Sequence, residues 1–127
     1  MGDDRFYELI DLYKNPEHSG KLDDFDVSSE GYSSSCGDRF RVFIKLDKDR
    51  IKDMSFEGDG CVVSTVSLSK VCGYSIGKSV ESVKNMGIGE IKKLIGIREI
   101  SVSRLKCATI GLETIKQALS QGKKSGL

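Results

Sequence analysis

The feature of the sequence that most constrains the fold is an alternation of apolar and polar side chains between Arg39 and Leu46. The apolar positions are Phe40, Val42, Ile44 and Leu46. The charged positions Arg39, Arg41 and Lys45 fall mostly on the other side. A period of two residues is typical of a half-buried β-strand, so the sequence predicts a strand with one face on a core.

A second strand follows at once. The polar run Asp47-Lys48-Asp49-Arg50 predicts a turn, and residues 51–56 predict a strand that returns beside the first. An antiparallel hairpin is the simplest arrangement of two such strands. We expect the Gly58-Asp59-Gly60 run to break the sheet. Residues 17–35, rich in Ser, Gly and Asp, predict a surface segment with one short edge strand.

Segments in which apolar residues have helical spacing occur both before and after this hairpin in the sequence. The stripe Phe6, Leu9, Ile10 and Tyr13 predicts a short helix that ends at Asn15-Pro16. Residues 62–72 predict a buried helix that ends at Gly73, and short helices are expected at 79–84 and at 88–95 before Gly96. The clearest helix carries Leu105, Ala108, Leu112, Ile115 and Leu119, and the tail 122–127 is expected to fray.

Size and charge limit the class of protein. The 127 residues suit one domain spanning 1–127, and 20 Lys and Arg against 19 Asp and Glu leave a formal charge of +1. This balance argues against a strongly basic nucleic-acid surface and gives no reason to expect a membrane partner. The opening Met1-Gly2-Asp3-Asp4 is unlike a secretory signal. We therefore expect a soluble protein of the cytoplasm or an equivalent reducing compartment.

Known catalytic signatures are missing from the sequence. It contains no phosphate-binding GxxxxGK[ST] or GxGxxG pattern and no GxSxG or HExxH motif. Its single histidine, His18, lies in a polar loop and is expected to be solvated rather than a ligand. A hydrolase that pairs His with Cys or Ser is therefore not expected.

The four cysteines are the candidates for a chemical function. Cys36, Cys61 and Cys107 each lie where one predicted element ends and the next begins. Cys61 opens a helix, and Cys107 is placed in the first turn of the last helix beside Arg104 and Lys106, so both thiols are expected to have lowered pKa values. No CxxC pair is present, and four distant cysteines do not make a disulfide scaffold.

Whether these cysteines form one site is left open by spacing alone. Cys72 follows Cys61 by three helical turns, about 16 Å, so it cannot share a metal with Cys61 and is expected to be a small buried residue. Asp38 is either a turn residue or a fourth donor. Three thiolates and one carboxylate would suit zinc or iron.

Several short motifs in a fixed order resemble one known family. They are Tyr7-Glu8-Leu9-Ile10-Asp11-Leu12-Tyr13-Lys14-Asn15-Pro16-Glu17-His18-Ser19-Gly20, Cys36-Gly37-Asp38, Phe56-Glu57-Gly58-Asp59-Gly60-Cys61 and Lys106-Cys107-Ala108. These motifs resemble the iron–sulfur cluster scaffold family called IscU, SufU or the N-terminal domain of NifU, and the resemblance covers residues from about 6 to 120.

The resemblance implies both a fold and a function. The fold is an α+β, compact two-layer sandwich in which a small, mostly antiparallel sheet packs against helices. The implied ligands of a [2Fe-2S] cluster or of zinc are Cys36, Asp38, Cys61 and Cys107, and the three cysteines are the candidate sulfur acceptors. Sulfur would arrive as a persulfide from a pyridoxal-phosphate cysteine desulfurase, iron would be bound, and the transient cluster would pass to apo iron–sulfur proteins.

Two departures from the family pattern bear on this reading. Lys106 replaces the histidine that IscU-type members carry before the last cysteine, which is SufU-like. Ser101-Val102-Ser103-Arg104 stands where IscU-type members show a proline-containing peptide to an Hsp70-type chaperone, so chaperone-driven release is not expected. Only 45 residues separate Cys61 from Cys107, the short IscU-like spacing.

Three functions therefore remain open from the sequence. The first is a scaffold, not an enzyme, that builds and transfers a [2Fe-2S] cluster. The second is a SufU-like zinc-dependent sulfur acceptor, in which Zn²⁺ occupies the resting site and the chain acts as a sulfurtransferase. The third is a structural zinc domain, which metal removal would unfold.

Overall fold

The computed structural model of the protein describes residues 10–33, 37–96 and 102–120. Its strands are β1 (Val27–Ser33), β2 (Asp38–Asp47) and β3 (Arg50–Asp59), which form an antiparallel sheet in the order β1-β2-β3. The helices are α1 (Val62–Ser75), α2 (Val80–Lys84), α3 (Ile88–Ile95) and α4 (Val102–Ser120). Because α1 packs on β3 while α4 packs on β1 and β2, the predicted two-layer α+β sandwich is confirmed.

The predicted hairpin is formed by β2 and β3. Phe40, Val42 and Ile44 are fully buried, whereas Leu46 is half-buried where the register shifts between Lys45 and Leu46. Phe43 is also buried, on the opposite face, because Phe25 covers it with ring centroids 5.3 Å apart. The segment before β1 thus covers part of the outer face of the sheet.

The sheet ends within the Gly58-Asp59-Gly60 run, as expected, but at its last residue rather than its first. β3 continues to Asp59, and Gly58 pairs with Phe40 of β2. Gly58 has a φ of +133°, and a Cβ there would lie 2.8 Å from the Phe40 Cα and closer still to the Arg39 carbonyl oxygen. Glycine therefore lets β3 run on in close contact with β2, and the strand ends just before Cys61.

Residues 17–33 contain more regular structure than the surface segment predicted from the sequence. β1 is the predicted edge strand. The loop before it runs along the free edge of β3, where the Phe56 amide donates to the His18 carbonyl at 3.0 Å and the Gly20 amide donates to the Phe56 carbonyl at 2.7 Å.

Residues 10–14 are helical up to Asn15, as predicted, while Phe6 and Leu9 lie outside the described residues.

The first long helix is buried, as predicted, but it does not end at Gly73. α1 continues through Gly73 to Ser75. A Cβ at residue 73 would stand 3.1 Å from Nε2 of the exposed His18 ring, which is a tight contact. Gly73 therefore lies inside the helix, where the loop that carries His18 packs close to it.

The remaining helices agree with the sequence. α2 begins after Ser79, whose hydroxyl accepts from the Ser82 amide at 3.2 Å, and α3 ends before Gly96. The buried residues of α4 include Ala108, Leu112, Ile115 and Leu119. One correction concerns Cys107, which lies five residues after Val102 and so in the second turn of α4 rather than the first. The tail 122–127 lies outside the described residues.

The core lies between the sheet and the helices. Its apolar side chains from β2, β3, α1 and α4 form one continuous cluster, and Cys72 belongs to it. Within the described part of the chain, no helix has the length and apolar character needed to cross a membrane.

Candidate metal centre

Asp38 lies at one end of the sheet as the first residue of β2. It follows Gly37, whose φ is +75°, and its carboxylate is only 1% exposed. Oδ1 accepts a hydrogen bond from the backbone amide of Cys61 at 3.0 Å. Oδ2 is buried and has no hydrogen-bond partner among the described residues. A buried carboxylate oxygen without a partner is costly, so it is available to a ligand.

Cys61 lies between β3 and α1 and caps the helix with its sulfur. Its backbone is extended, and its Sγ accepts from the Ser64 amide at 3.5 Å. The side chain is partly exposed. Sequence reasoning placed Cys61 at the opening of a helix, and the structure confirms that position with the sulfur itself as the cap.

Cys107 reaches the same place from α4. This helix packs along α1, and the Cys107 side chain is 2% exposed. Three elements distant in sequence therefore converge. One ligand atom each from Asp38, Cys61 and Cys107 can be chosen so that all lie within 4.8 Å of one another. The set fits zinc or iron, since both accept thiolate and carboxylate ligands.

The pKa of the Cys61 thiol is lowered from its usual value. Burial is the largest influence and acts to raise this pKa, and the charge of Asp38 acts in the same direction. Hydrogen bonds with the hydroxyl and amide of Ser64 and with Cys107 outweigh both. The sequence predicted the direction correctly. For Cys107 the argument from the first helical turn no longer holds, because the dipole effect fades beyond that turn.

Of the other residues named from the sequence, some lie outside the candidate metal group and the rest have side chains that the structure does not describe. Cys72 is fully buried in the core, burial raises its pKa, and it is absent from the candidate metal group, as predicted. His18 is exposed and is likewise outside the group formed by the described residues. The prediction for Cys36 lies outside the described residues, and only the backbone position of Arg104 and Lys106 in α4 is established.

Sequence reasoning missed Ser64. Its hydroxyl is fully buried, lies 3.5 Å from the Cys61 sulfur and donates to the Cys61 carbonyl at 3.1 Å. A hydroxyl residue three positions after a helix-capping residue was the available signal, since the amide at that position is the one a capping side chain contacts.

The chain is similar to known proteins over most of its length. The family model for the NifU-like N terminal domain matches residues 6–125. The zinc-dependent sulfurtransferase SufU of Bacillus subtilis is 30% identical, over 89% of this chain and 87% of that protein. The iron-sulfur cluster assembly scaffold protein IscU of Thermotoga maritima is 31% identical, over 89% and 90% of the two chains.

Solved structures show the same fold. A protein from Fervidobacterium islandicum AW-1, assigned as an iron-sulfur cluster assembly scaffold for the SUF system, superposes with a TM-score of 0.74 at 26% identity, covering 92% of this chain and 95% of that one. A NifU-like N-terminal protein of Brucella abortus gives a TM-score of 0.77 at 16% identity, covering 94% and 92%. The chain belongs to the NifU-like N-terminal domain family of iron–sulfur cluster assembly proteins.

Proposed function

We propose that this chain is a single-domain scaffold for iron–sulfur cluster assembly that acts as a carrier rather than as an enzyme. The convergence of Asp38, Cys61 and Cys107 within 4.8 Å carries the proposal. Cys36 is proposed as the further thiolate ligand, two residues before Asp38 in sequence. The cargo is a [2Fe-2S] cluster built from bound iron and delivered sulfur.

Sulfur uptake follows from thiolate chemistry. A cysteine thiolate attacks the outer sulfur of a persulfide on a cysteine desulfurase, forms a new S–S bond and releases the thiolate of the desulfurase. The oxidation level is unchanged in this exchange. Reduction of that sulfur to sulfide then takes two electrons from an external reductant. Cys61 suits the attack, because its pKa is lowered and its side chain is more exposed than that of Cys107.

Release of the cluster requires at least one ligand that dissociates readily. The Asp38 carboxylate is a harder, more labile donor to iron than a thiolate, so a mixed set holds a cluster less firmly than four thiolates would. Apo iron–sulfur proteins with full thiolate ligation are the proposed acceptors. A reducing compartment such as the cytoplasm would keep the thiols free for this work.

A zinc-dependent sulfur acceptor is the second candidate. The Bacillus subtilis relative carries that name, and Lys106 takes the place of the histidine of IscU-type members. Asp38, Cys61 and Cys107, with Cys36, would hold Zn²⁺ in the resting protein. The metal would keep the thiols deprotonated and protected until the desulfurase displaces one ligand.

Anaerobic reconstitution tests the two functions together. Metal-free protein is incubated with ferrous iron, cysteine, a reductant and a cysteine desulfurase, and visible absorption and transfer to apo-ferredoxin are followed. The scaffold function predicts a sulfide-to-iron charge-transfer spectrum that is lost in Cys36→Ala, Cys61→Ala or Cys107→Ala and kept in the control Cys72→Ala. If no chromophore forms while zinc-loaded protein accelerates the desulfurase, the sulfur-acceptor function replaces it.

A further inference from the structure

We propose that Ser64 is a positioning residue that holds the Cys61 side chain in the orientation in which its sulfur binds metal together with Asp38 and Cys107. The inference rests on the proposed function of this site. It concerns a residue that binds neither metal nor sulfur itself and acts through the ligand it contacts.

Two groups of Ser64 contact the Cys61 sulfur. Its amide donates to Sγ at 3.5 Å, and its hydroxyl oxygen lies 3.5 Å from the same sulfur, with the thiol as donor. The hydroxyl proton is directed to the Cys61 carbonyl at 3.1 Å. One residue therefore contacts both the side chain and the backbone of a candidate ligand.

The hydroxyl of Ser64 is held in place by its surroundings. It is fully buried, so it does not exchange these contacts for water. A Cβ at Gly60 would stand 2.5 Å from the Ser64 Oγ and 2.5 Å from the Phe40 Cζ. The absent side chain at residue 60 makes room for the hydroxyl and the ring together.

The contacts of Ser64 suit a cysteine that alternates between thiol and metal-bound thiolate. A serine hydroxyl has one donor and two acceptor sites, so it accepts from the thiol and can turn to donate to the thiolate. The Ser64 amide donates in both states. With the Cys61 amide held by Asp38, the cysteine is fixed at its backbone by one residue and at its sulfur by another.

Ser67 provides a matched control on the same helix. It is 1% exposed, and its hydroxyl has no hydrogen-bond partner among the described residues. Ser67→Ala removes the same atom from the same buried helix without touching the contacts of Cys61. A comparison of Ser64→Ala with Ser67→Ala therefore separates ligand positioning from loss of a buried hydroxyl.

The test is an anaerobic titration of metal-free full-length protein with Co²⁺, followed by the thiolate-to-cobalt charge-transfer absorption. Loss of a partner that orients a metal ligand typically weakens metal binding about 10- to 100-fold, and we expect this loss for Ser64→Ala and unchanged affinity for Ser67→Ala. In a Cys61→Ala background, Ser64→Ala should cause no further loss, because the residue it acts through is gone.

Each result of the titration is decisive. Equal affinities of Ser64→Ala and Ser67→Ala would overturn the inference while leaving the proposed function intact. A loss of affinity that persists in the Cys61→Ala background would also overturn it, since Ser64 would then act through the fold. If the unaltered protein gave no charge-transfer band that depends on Cys61, the proposed function would fail and the inference with it.

Discussion

The carboxylate of Asp38 accepts a hydrogen bond at 3.0 Å from the backbone amide of Cys61, so one candidate ligand fixes the position of another. The bond joins the start of β2 to the residue that caps α1. It also leaves the second carboxylate oxygen buried without a partner among the described residues. Asp38 thus has a structural role and a proposed ligand role at once.

Replacing Asp38 with Ala should separate these roles. Without the carboxylate, the Cys61 amide loses its partner, which should lower the free energy of unfolding by about 1–3 kcal/mol. Loss of the labile oxygen ligand should also lengthen the lifetime of a bound cluster. Urea unfolding and the rate of transfer to apo-ferredoxin measure the two effects.

Asp38→Asn is the matched variant. Its amide oxygen can still accept from the Cys61 amide, so most of the stability should return, while the charged ligand remains absent. A transfer rate unchanged by both substitutions would count against Asp38 as the labile ligand.

The reactivity of Cys61 should depend on pH as its lowered pKa dictates. Alkylation requires the thiolate, so the rate for Cys61 in metal-free protein should reach its half-maximum at a lower pH than the rate for an unperturbed cysteine thiol. Asp38→Asn should move the midpoint further down, because the Asp38 charge acts to raise this pKa. Mass spectrometry of the Cys61 peptide measures the rate at each pH.

Cys72 provides an internal reference in that experiment. It is fully buried and its pKa is raised, so it should stay unmodified over the same pH range. A Cys61 midpoint at or above that of a free thiol would show that the hydrogen bonds of Ser64 and Cys107 do not outweigh burial.

Replacing Cys72 with Ala should leave the metal site intact. The side chain lies in the core cluster, apart from the candidate metal group, so its loss should cost about 1 kcal/mol of stability through a small cavity. Zinc affinity, measured by competition with a chromogenic chelator, should equal that of the unaltered protein. An affinity lowered as much as in Cys107→Ala would place Cys72 in the site.

The packing of β1 against α4 should depend on the absence of a side chain at Gly31. A Cβ at Gly31 would overlap the hydroxyl of Thr114, which is buried and donates to the Ile110 carbonyl at 2.8 Å. Gly31→Ala should lower the free energy of unfolding by about 1–3 kcal/mol, because the strand or the helix must shift. Urea unfolding measures the loss.

Thr114→Ala supplies the control for that substitution. In a chain that already carries it, the overlapping atom is gone, so Gly31→Ala should cost much less. Equal costs in the two backgrounds would show that Thr114 is not what Gly31 accommodates.

Metal removal should leave the fold intact. The core cluster contains neither Asp38 nor Cys107 and joins the sheet to the helices without a metal. The far-ultraviolet circular dichroism of chelator-treated protein should therefore match that of the metal-loaded form. Free zinc at 100 times its dissociation constant should add about 2.7 kcal/mol of stability. Unfolding on chelation would instead support a structural zinc domain.

Local pattern was sufficient to predict most of the elements. The alternation at Phe40, Val42 and Ile44 identified β2, and helical spacing identified α4, because side-chain period follows from backbone geometry. Glycine was the least reliable predictor of where a strand or helix ends. Gly58 and Gly73 both suggested an end to their element, yet both lie inside it, and a Cβ at either position would stand close to a residue distant in sequence, Arg39 or His18.

The sequence by itself determined which residues have the chemistry to form the site, and the family resemblance named the same set. Spacing left the convergence of Asp38, Cys61 and Cys107 open, because three ligands on different elements meet only if the sheet register and the packing of α4 on α1 bring them together. Only the tertiary structure decided that the Asp38 carboxylate holds the Cys61 amide and that Ser64 contacts its sulfur. These contacts depend on distances of a few ångströms, which no one-dimensional pattern encodes.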